Sequence, residues 1–138
     1  VTVRAVPGPQ DDYFDQGIDT LFNTPYMVTP KADRMGYRLM GDKISIKDGM
    51  PKSIVSEPSV PGSIQIPPDE QPIILMVEQT VGGYAKIATV ISSDLPKVAQ
   101  TTPGDTIRFE QINIHDAHTL FMENQTLLTR IRGMFSKT

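Results

Sequence analysis

The chain has 138 residues, the length of one domain, and 38% of them are hydrophobic, enough for a core without metals or disulfides. A formal charge of -3 and a pI ≈ 5.3 leave no electrostatic footprint for DNA, RNA or an anionic membrane surface. The absence of cysteine excludes disulfides, thiol catalysis and thiolate metal sites, and it fits the cytoplasm.

The predicted elements are short, because twelve prolines punctuate the chain. Val3 to Val6 reads as a strand stopped by Pro7-Gly8-Pro9. Asp11 to Phe22 reads as a short helix whose acidic first turn suits the positive end of its dipole. Tyr26 to Thr29, Gly36 to Met40 and Lys43 to Ile46 read as three short strands, separated by Pro30 and Gly41-Asp42. Ser53 to Val60 alternates weakly and reads as extended. Ser63 to Ile66, Ile73 to Glu78 and Ile87 to Ile91 are better strands, and the last two are nearly continuous apolar runs suited to a closed core. Ser93-Asp94 is expected to cap a short helix with Pro96 in its first turn. Pro103-Gly104-Asp105 turns into the strand Thr106 to Gln111.

The tail changes period. Ala117, Leu120, Phe121, Leu127, Leu128, Ile131, Met134 and Phe135 fall at helical spacing and mark one apolar stripe. The longest apolar runs, such as Ile73 to Val77, are far short of the ~20 residues that span a bilayer. The opening Val1-Thr2-Val3-Arg4 shows neither Met nor leader, so the chain reads as a fragment of a longer protein. These elements together predict a mainly β barrel or sandwich with short helices and a C-terminal helix.

Three segments hold residues suited to chemistry. In Pro61 to Pro72, Gln65 sits between two isoleucines and a strand runs into stiff Pro67-Pro68. Rigid backbone presenting Gln65, Asp69 and Gln71 can hold a small polar ligand, or it can be an edge strand ending in a polar turn. In Glu78 to Lys86, Gly82 and Gly83 permit close backbone approach to a ligand, and Lys86 adds a cation. The same Gly-Gly also suits a plain hairpin. In Asp33 to Arg38, Arg34 can grip a carboxylate or phosphate, or it can form a solvated pair with Asp33. His115 and His118 lie three apart, but without cysteine or a third nearby imidazole they read as capping or surface residues, and no metal site is expected. No Walker loop, dinucleotide fingerprint or G-x-S-x-G is present.

Taken in order, Ala32-Asp33-Arg34-Met35-Gly36-Tyr37-Arg38-Leu39, Gly62 to Ile73 and Gln79 to Ala88 resemble the KipA family. That family is also known as allophanate hydrolase subunit 2 or the C subunit of 5-oxoprolinase. Val3 to Gln10, Asp94 to Gln100 and Pro103-Gly104-Asp105 extend the resemblance over nearly the whole chain. It implies a cyclophilin-like closed β-barrel, with residues 1–138 forming the C-terminal half of a longer subunit. It implies a KipI-like partner and a third 5-oxoprolinase subunit, which together open 5-oxoproline to glutamate at the expense of ATP. Related domains serve biotin-dependent carboxyl transfer in urea carboxylase, and a regulatory role against a KipI-like kinase inhibitor is also attached to the family.

Within the matched motifs, Arg34 and Lys86 are expected to bind anions, with Lys86 and Asp69 the catalytic candidates. Gln65, Gln71 and Thr80 are the expected amide partners, Gly82 and Gly83 provide backbone approach, Tyr84 a wall, and Pro67 the stiff exit from the strand. Arg34, Gln65, Asp69 and Lys86 are expected to converge at the barrel's mouth. The chain departs from the family in Val77-Glu78, where Asp-Arg is usual, and in Asp69-Glu70-Gln71, where Asp-Gly-Gln is usual. No role resting on that missing arginine carries over.

Overall fold

The computed structural model describes residues 1–32, 36–50, 60–77 and 84–135, with side chains throughout except at 124 and 127–135. Seven strands run in the order β1 (Thr2–Pro7), β6 (Ala85–Val90), β4 (Ser63–Ile66), β5 (Ile73–Leu75), β3 (Gly36–Met40), β2 (Tyr26–Val28) and β7 (Thr106–Gln111). The sheet closes because β7 returns to β1, pairing Thr2 with Arg108 and Val3 with Phe109. That contact is parallel and the other pairings are antiparallel. Closure removes the open sheet edges.

Alternation along the strands builds the core. Val3, Ala5, Leu39, Ile64, Ile66, Ile74, Ile107 and Phe109 are buried in one cluster, while intervening residues such as Arg38, Arg108 and Glu110 remain exposed. Two helices flank the barrel, α1 (Gln16–Asn23) and α2 (Leu95–Ala99). A third, α3 (Ile114–Phe135), continues the chain after β7, with Ala117 and Leu120 half-buried and Ile114, Phe121 and Met122 exposed. No helix among the described residues is long and apolar enough to cross a membrane.

Three expectations change in the structure. The helix expected over Asp11 to Phe22 divides into a 3-10 turn, Asp11–Tyr13, and α1. Phe14 between them is extended (φ -122, ψ 129), which delivers its ring to the core at the expense of helix continuity. Lys43 to Ile46 forms no strand. Ile44 N–H bonds Glu70 O at 3.0 Å and Lys47 N–H bonds Tyr13 O at 2.7 Å, so this stretch is tied to two separate segments rather than laddered to one. Ile44 is nonetheless fully buried.

Asp94 stands at the start of α2 but makes no side-chain cap. Its carboxylate turns to Arg4 instead, accepting from Arg4 N–H at 2.7 Å, Nε at 2.9 Å and Nη2 at 2.7 Å. Lys97 Nζ stands 3.6 Å from Asp94 Oδ1. The bidentate guanidinium is a stronger partner than a helix amide, so the ion pair takes the group. Burial alone raises the Asp94 carboxyl, but the hydrogen bonds from Arg4 outweigh it and hold the group below the ordinary aspartate range. Residues 53–59 of the expected extended stretch, and Glu78 of the expected strand Ile73 to Glu78, lie outside the described residues.

Candidate functional site

The site grows from a bulge between β4 and β6. Ile64 pairs with Ala88, yet the next residue, Gln65, pairs with Lys86, so β6 carries one extra residue, Ile87. Both Ile87 and Ala88 therefore join the core. Beyond the bulge the alternation of β6 is reset, and Lys86 falls directly opposite Gln65. A regular ladder would have set Ile87 there instead.

Gln65 and Lys86 are each only 4% exposed, although neither belongs to the hydrophobic cluster. Burying an amide beside an ammonium is costly unless both are partnered. Bulges re-aim side chains beside active sites, so a lysine brought by one to a buried position is a functional candidate. The segment after β1 holds Lys86 in place. Gly8 N–H bonds Ile87 O at 2.9 Å, and Gln10 N–H bonds Lys86 O at 3.0 Å. The carboxamide of Gln10 then accepts the Lys86 N–H at 3.0 Å, replacing a strand that has already turned away.

Following β4, Pro67 is buried and its carbonyl accepts the Glu70 N–H at 2.9 Å, closing a turn over Pro68-Asp69. Asp69 is exposed, and its Oδ1 accepts the Gln71 N–H at 3.1 Å. Glu70 has φ 64, a left-handed conformation in a residue with a Cβ. Its Oε2 accepts from Ser45 Oγ at 3.1 Å.

The carboxamide of Gln71 spans one residue of the chain: Oε1 accepts from Gly41 N–H at 2.8 Å and Nε2 donates to Gly41 O at 3.2 Å. Gly41 has no room for a side chain, because a Cβ would lie 2.7 Å from the buried ring of Tyr26. Gln71 thus locks the end of β3 to the turn after β4, with one acceptor and one donor position of its amide engaged.

Asp69 and Gln71 border a cleft of about 320 Å³ together with Lys31, Arg38, Pro72 and Ile73. Ile73 is also the β5 neighbour of Gln65, so the cleft adjoins the Gln65–Lys86 pair. Tyr84, 37% exposed, stands immediately before β6.

Among the described residues, Gln65 faces Lys86 across the β4–β6 ladder, and Asp69 bonds Gln71 in the turn that follows β4. Arg34, Thr80, Gly82 and Gly83 lie outside the described residues. Sequence reasoning passed over Gln10 and Arg38. Arg38 was readable from alternation, since inward Leu39 sends its neighbour outward. The role of Gln10 depends on a fold-back contact that local pattern does not encode. His115 and His118 are exposed on α3.

Residues 1–111 match the family described as carboxyltransferase domain, subdomain A and B. The chain is 38% identical to the C subunit of 5-oxoprolinase of Haemophilus influenzae over 132 residues, covering 94% of this chain and 42% of that protein. It is 37% identical to the Escherichia coli protein of the same name over 117 residues, covering 83% and 37%. The chain thus spans about two-fifths of the length of these relatives. Among solved structures, the urea carboxylase of Kluyveromyces lactis superposes with a TM-score of 0.81 at 26% identity, over 91% of this chain and 12% of that one. With the match extending from Val1 through the whole barrel to the end of β7, the chain belongs to the carboxyltransferase domain, subdomain A and B, family.

Proposed function

We propose that residues 1–138 are the C-terminal domain of one component of an ATP-dependent 5-oxoprolinase, which opens 5-oxoproline to glutamate. In this reading a KipI-like partner and a third 5-oxoprolinase subunit complete the enzyme in the cytoplasm, and this chain alone is inactive. The observation that carries it is the buried Gln65–Lys86 pair, set in register by the bulge, in a chain 38% identical to the C subunit of a 5-oxoprolinase.

A lactam resists water because its amide is resonance-stabilised, and ATP overcomes this by phosphorylating the amide oxygen. The amide oxygen takes the γ-phosphoryl group as ADP leaves, and water adds to the activated carbon. The ring C–N bond breaks as its nitrogen takes a proton, and a second water releases phosphate from the acyl phosphate. A fixed cation and amide donor stabilise the negative phosphoryl group without reorganisation. Lys86 supplies the cation, Gln65 bonds the ring amide, and Asp69 orients or transfers a proton. Arg34, Thr80, Gly82 and Gly83 contribute anion binding and backbone approach, with Tyr84 as a wall.

The test is co-expression of the full-length parent with its neighbouring genes and assay of 5-oxoproline-dependent ATP hydrolysis. Lys86→Ala and Arg34→Ala should each lower turnover by about tenfold or more. Lys86→Met, which keeps the buried volume, should be equally impaired while the assembly still forms. A wild-type rate in Lys86→Met removes Lys86 from the chemistry. Tight binding to the KipI-like protein, with every site variant fully functional, would instead indicate a non-catalytic antagonist of a kinase inhibitor.

The likeness to K. lactis urea carboxylase favours a second reading, a biotin-dependent carboxyl transfer domain. The donor set fits it, because a carboxamide beside an ammonium suits a ureido group as well as a lactam. Biotin would supply the carboxyl group, and Gln65 and Lys86 would bind and orient its acceptor. Activity that requires a biotin carboxylase partner separates this reading from the first.

A further inference from the structure

The outer face of the barrel carries a second feature beside the buried pair. β3, β5, β4 and β6 set Arg38, Ile73, Gln65 and Lys86 opposite one another in one transverse row. Strands lie about 4.8 Å apart, so Arg38 and Gln65 are separated by about 10 Å with Ile73 between them. Ile73 is nearly buried and Arg38 is exposed, which gives an apolar floor with a cation at one side. The cleft of about 320 Å³ opens over this part of the row, at the small end of the range for small-molecule sites.

Charge and lining narrow the ligand. Among the described lining residues, Lys31 and Arg38 supply two cations against the single carboxylate of Asp69, a positive excess on a chain of net charge -3. Neither cation forms an ion pair or a side-chain hydrogen bond among the described residues. Asp69 forms no ion pair with them among the described residues, and its Oδ1 accepts the Gln71 N–H. Met40, Pro72 and Ile73 make the remaining wall largely apolar.

We infer that this cleft is a carboxylate subsite for a small, partly apolar ring acid, with Arg38 as its anchor. The guanidinium of Arg38 takes the carboxylate as a fork, Lys31 adds charge at the rim, and the ring rests on Ile73 and Pro72. The identification of that acid with the cyclic amide substrate rests on the function proposed above, whereas the carboxylate preference rests on the cleft alone.

Calorimetric titration of the chain with three probes tests it: 5-oxoproline, cyclopentanecarboxylate, which lacks the amide, and 2-pyrrolidinone, which lacks the carboxylate. Both acids should bind more tightly than 2-pyrrolidinone. Arg38→Gln should weaken both acids by about tenfold and Lys31→Gln by about threefold, leaving 2-pyrrolidinone unchanged. Equal affinity of the acids for wild type and Arg38→Gln, or no binding of either acid, overturns the subsite.

The assembled enzyme separates the two ideas. A raised KM for 5-oxoproline with unchanged kcat in Arg38→Gln supports the subsite within the proposed reaction. Unchanged KM in an active assembly sinks the subsite and leaves the reaction standing. Loss of cyclopentanecarboxylate affinity in Arg38→Gln, in an assembly with no 5-oxoproline-dependent ATP hydrolysis, sinks the reaction and leaves the subsite standing.

Discussion

β4 is bounded by two left-handed residues, and its two ends handle that conformation differently. At the end nearest α2, Gly62 has φ +95, and a Cβ there would stand 2.6 Å from Val90 O. Gly62 N–H bonds Leu75 O at 2.7 Å and Gly62 O accepts from Val90 N–H at 2.8 Å, so one residue stitches β4 between β5 and β6. At the opposite end, Glu70 adopts φ 64 with a full side chain, flanked by Asp69 and Gln71 of the candidate site. The first end uses the residue that carries no strain, and the second keeps strain between Asp69 and Gln71 of the candidate site. Strained backbone clusters at functional sites, so if the proposed site is right, the Glu70 end is the working end and the Gly62 end the fastening.

If the Gly62 end is the fastening, damage there should appear as lost stability. Gly62→Ala combines a positive φ with a backbone clash, and should lose about 4 kcal/mol in urea unfolding. Survival within about 1 kcal/mol of wild type would remove the distinction between the ends.

The Arg4–Asp94 pair fastens the same end, since Ile91 N–H bonds Arg4 O at 3.0 Å just beyond β6. Asp94 is fully buried and Arg4 is partly exposed. Asp94→Ala should therefore cost about 2–3 kcal/mol, because the stranded guanidinium can partly rehydrate. The pH dependence follows from the lowered carboxyl. The stability it supplies is fully present above the ordinary aspartate value of 3.8 and is lost as pH falls through the lower folded value. Wild type should lose more stability than Asp94→Asn between about pH 5 and the acid limit. Parallel curves for the two proteins would show that the pair stabilises nothing.

The parts of this division that were legible in the sequence are those governed by local rules. Gly36 to Met40, Ser63 to Ile66 and Thr106 to Gln111 are strands at the expected bounds, because Pro and Gly punctuate them and β-formers fill them. The closed barrel came with the family resemblance rather than from strand patterns, which fit a sandwich equally well. The bulge was hidden, since Ile87 to Ile91 is apolar apart from Thr89 and reveals no change of face. The pairing of Lys86 with Gln65 depends on that bulge, so it could be guessed from chemistry but not from spacing. Asp94 was misjudged because a cap is a local reading and its partner is Arg4, ninety residues earlier.

The smallest effect tests the other half of the contrast. Glu70→Gly relieves a left-handed conformation that costs a residue with a Cβ about 1–2 kcal/mol. Against this stand about 0.5–1 kcal/mol of added freedom in the unfolded chain and the loss of one exposed hydrogen bond from Ser45. The variant should therefore lie between neutral and about 0.5 kcal/mol more stable, in contrast to the loss at Gly62. Glu70→Val, whose branched side chain tolerates the conformation least, should lose about 1–2 kcal/mol. In the assembled enzyme, a looser turn at Glu70→Gly should raise KM more than it lowers kcat, because the turn positions Asp69 and Gln71 rather than reacting itself. A clear loss of stability in Glu70→Gly would mean that the side chain fastens this end too, and the two ends of β4 would no longer differ in kind.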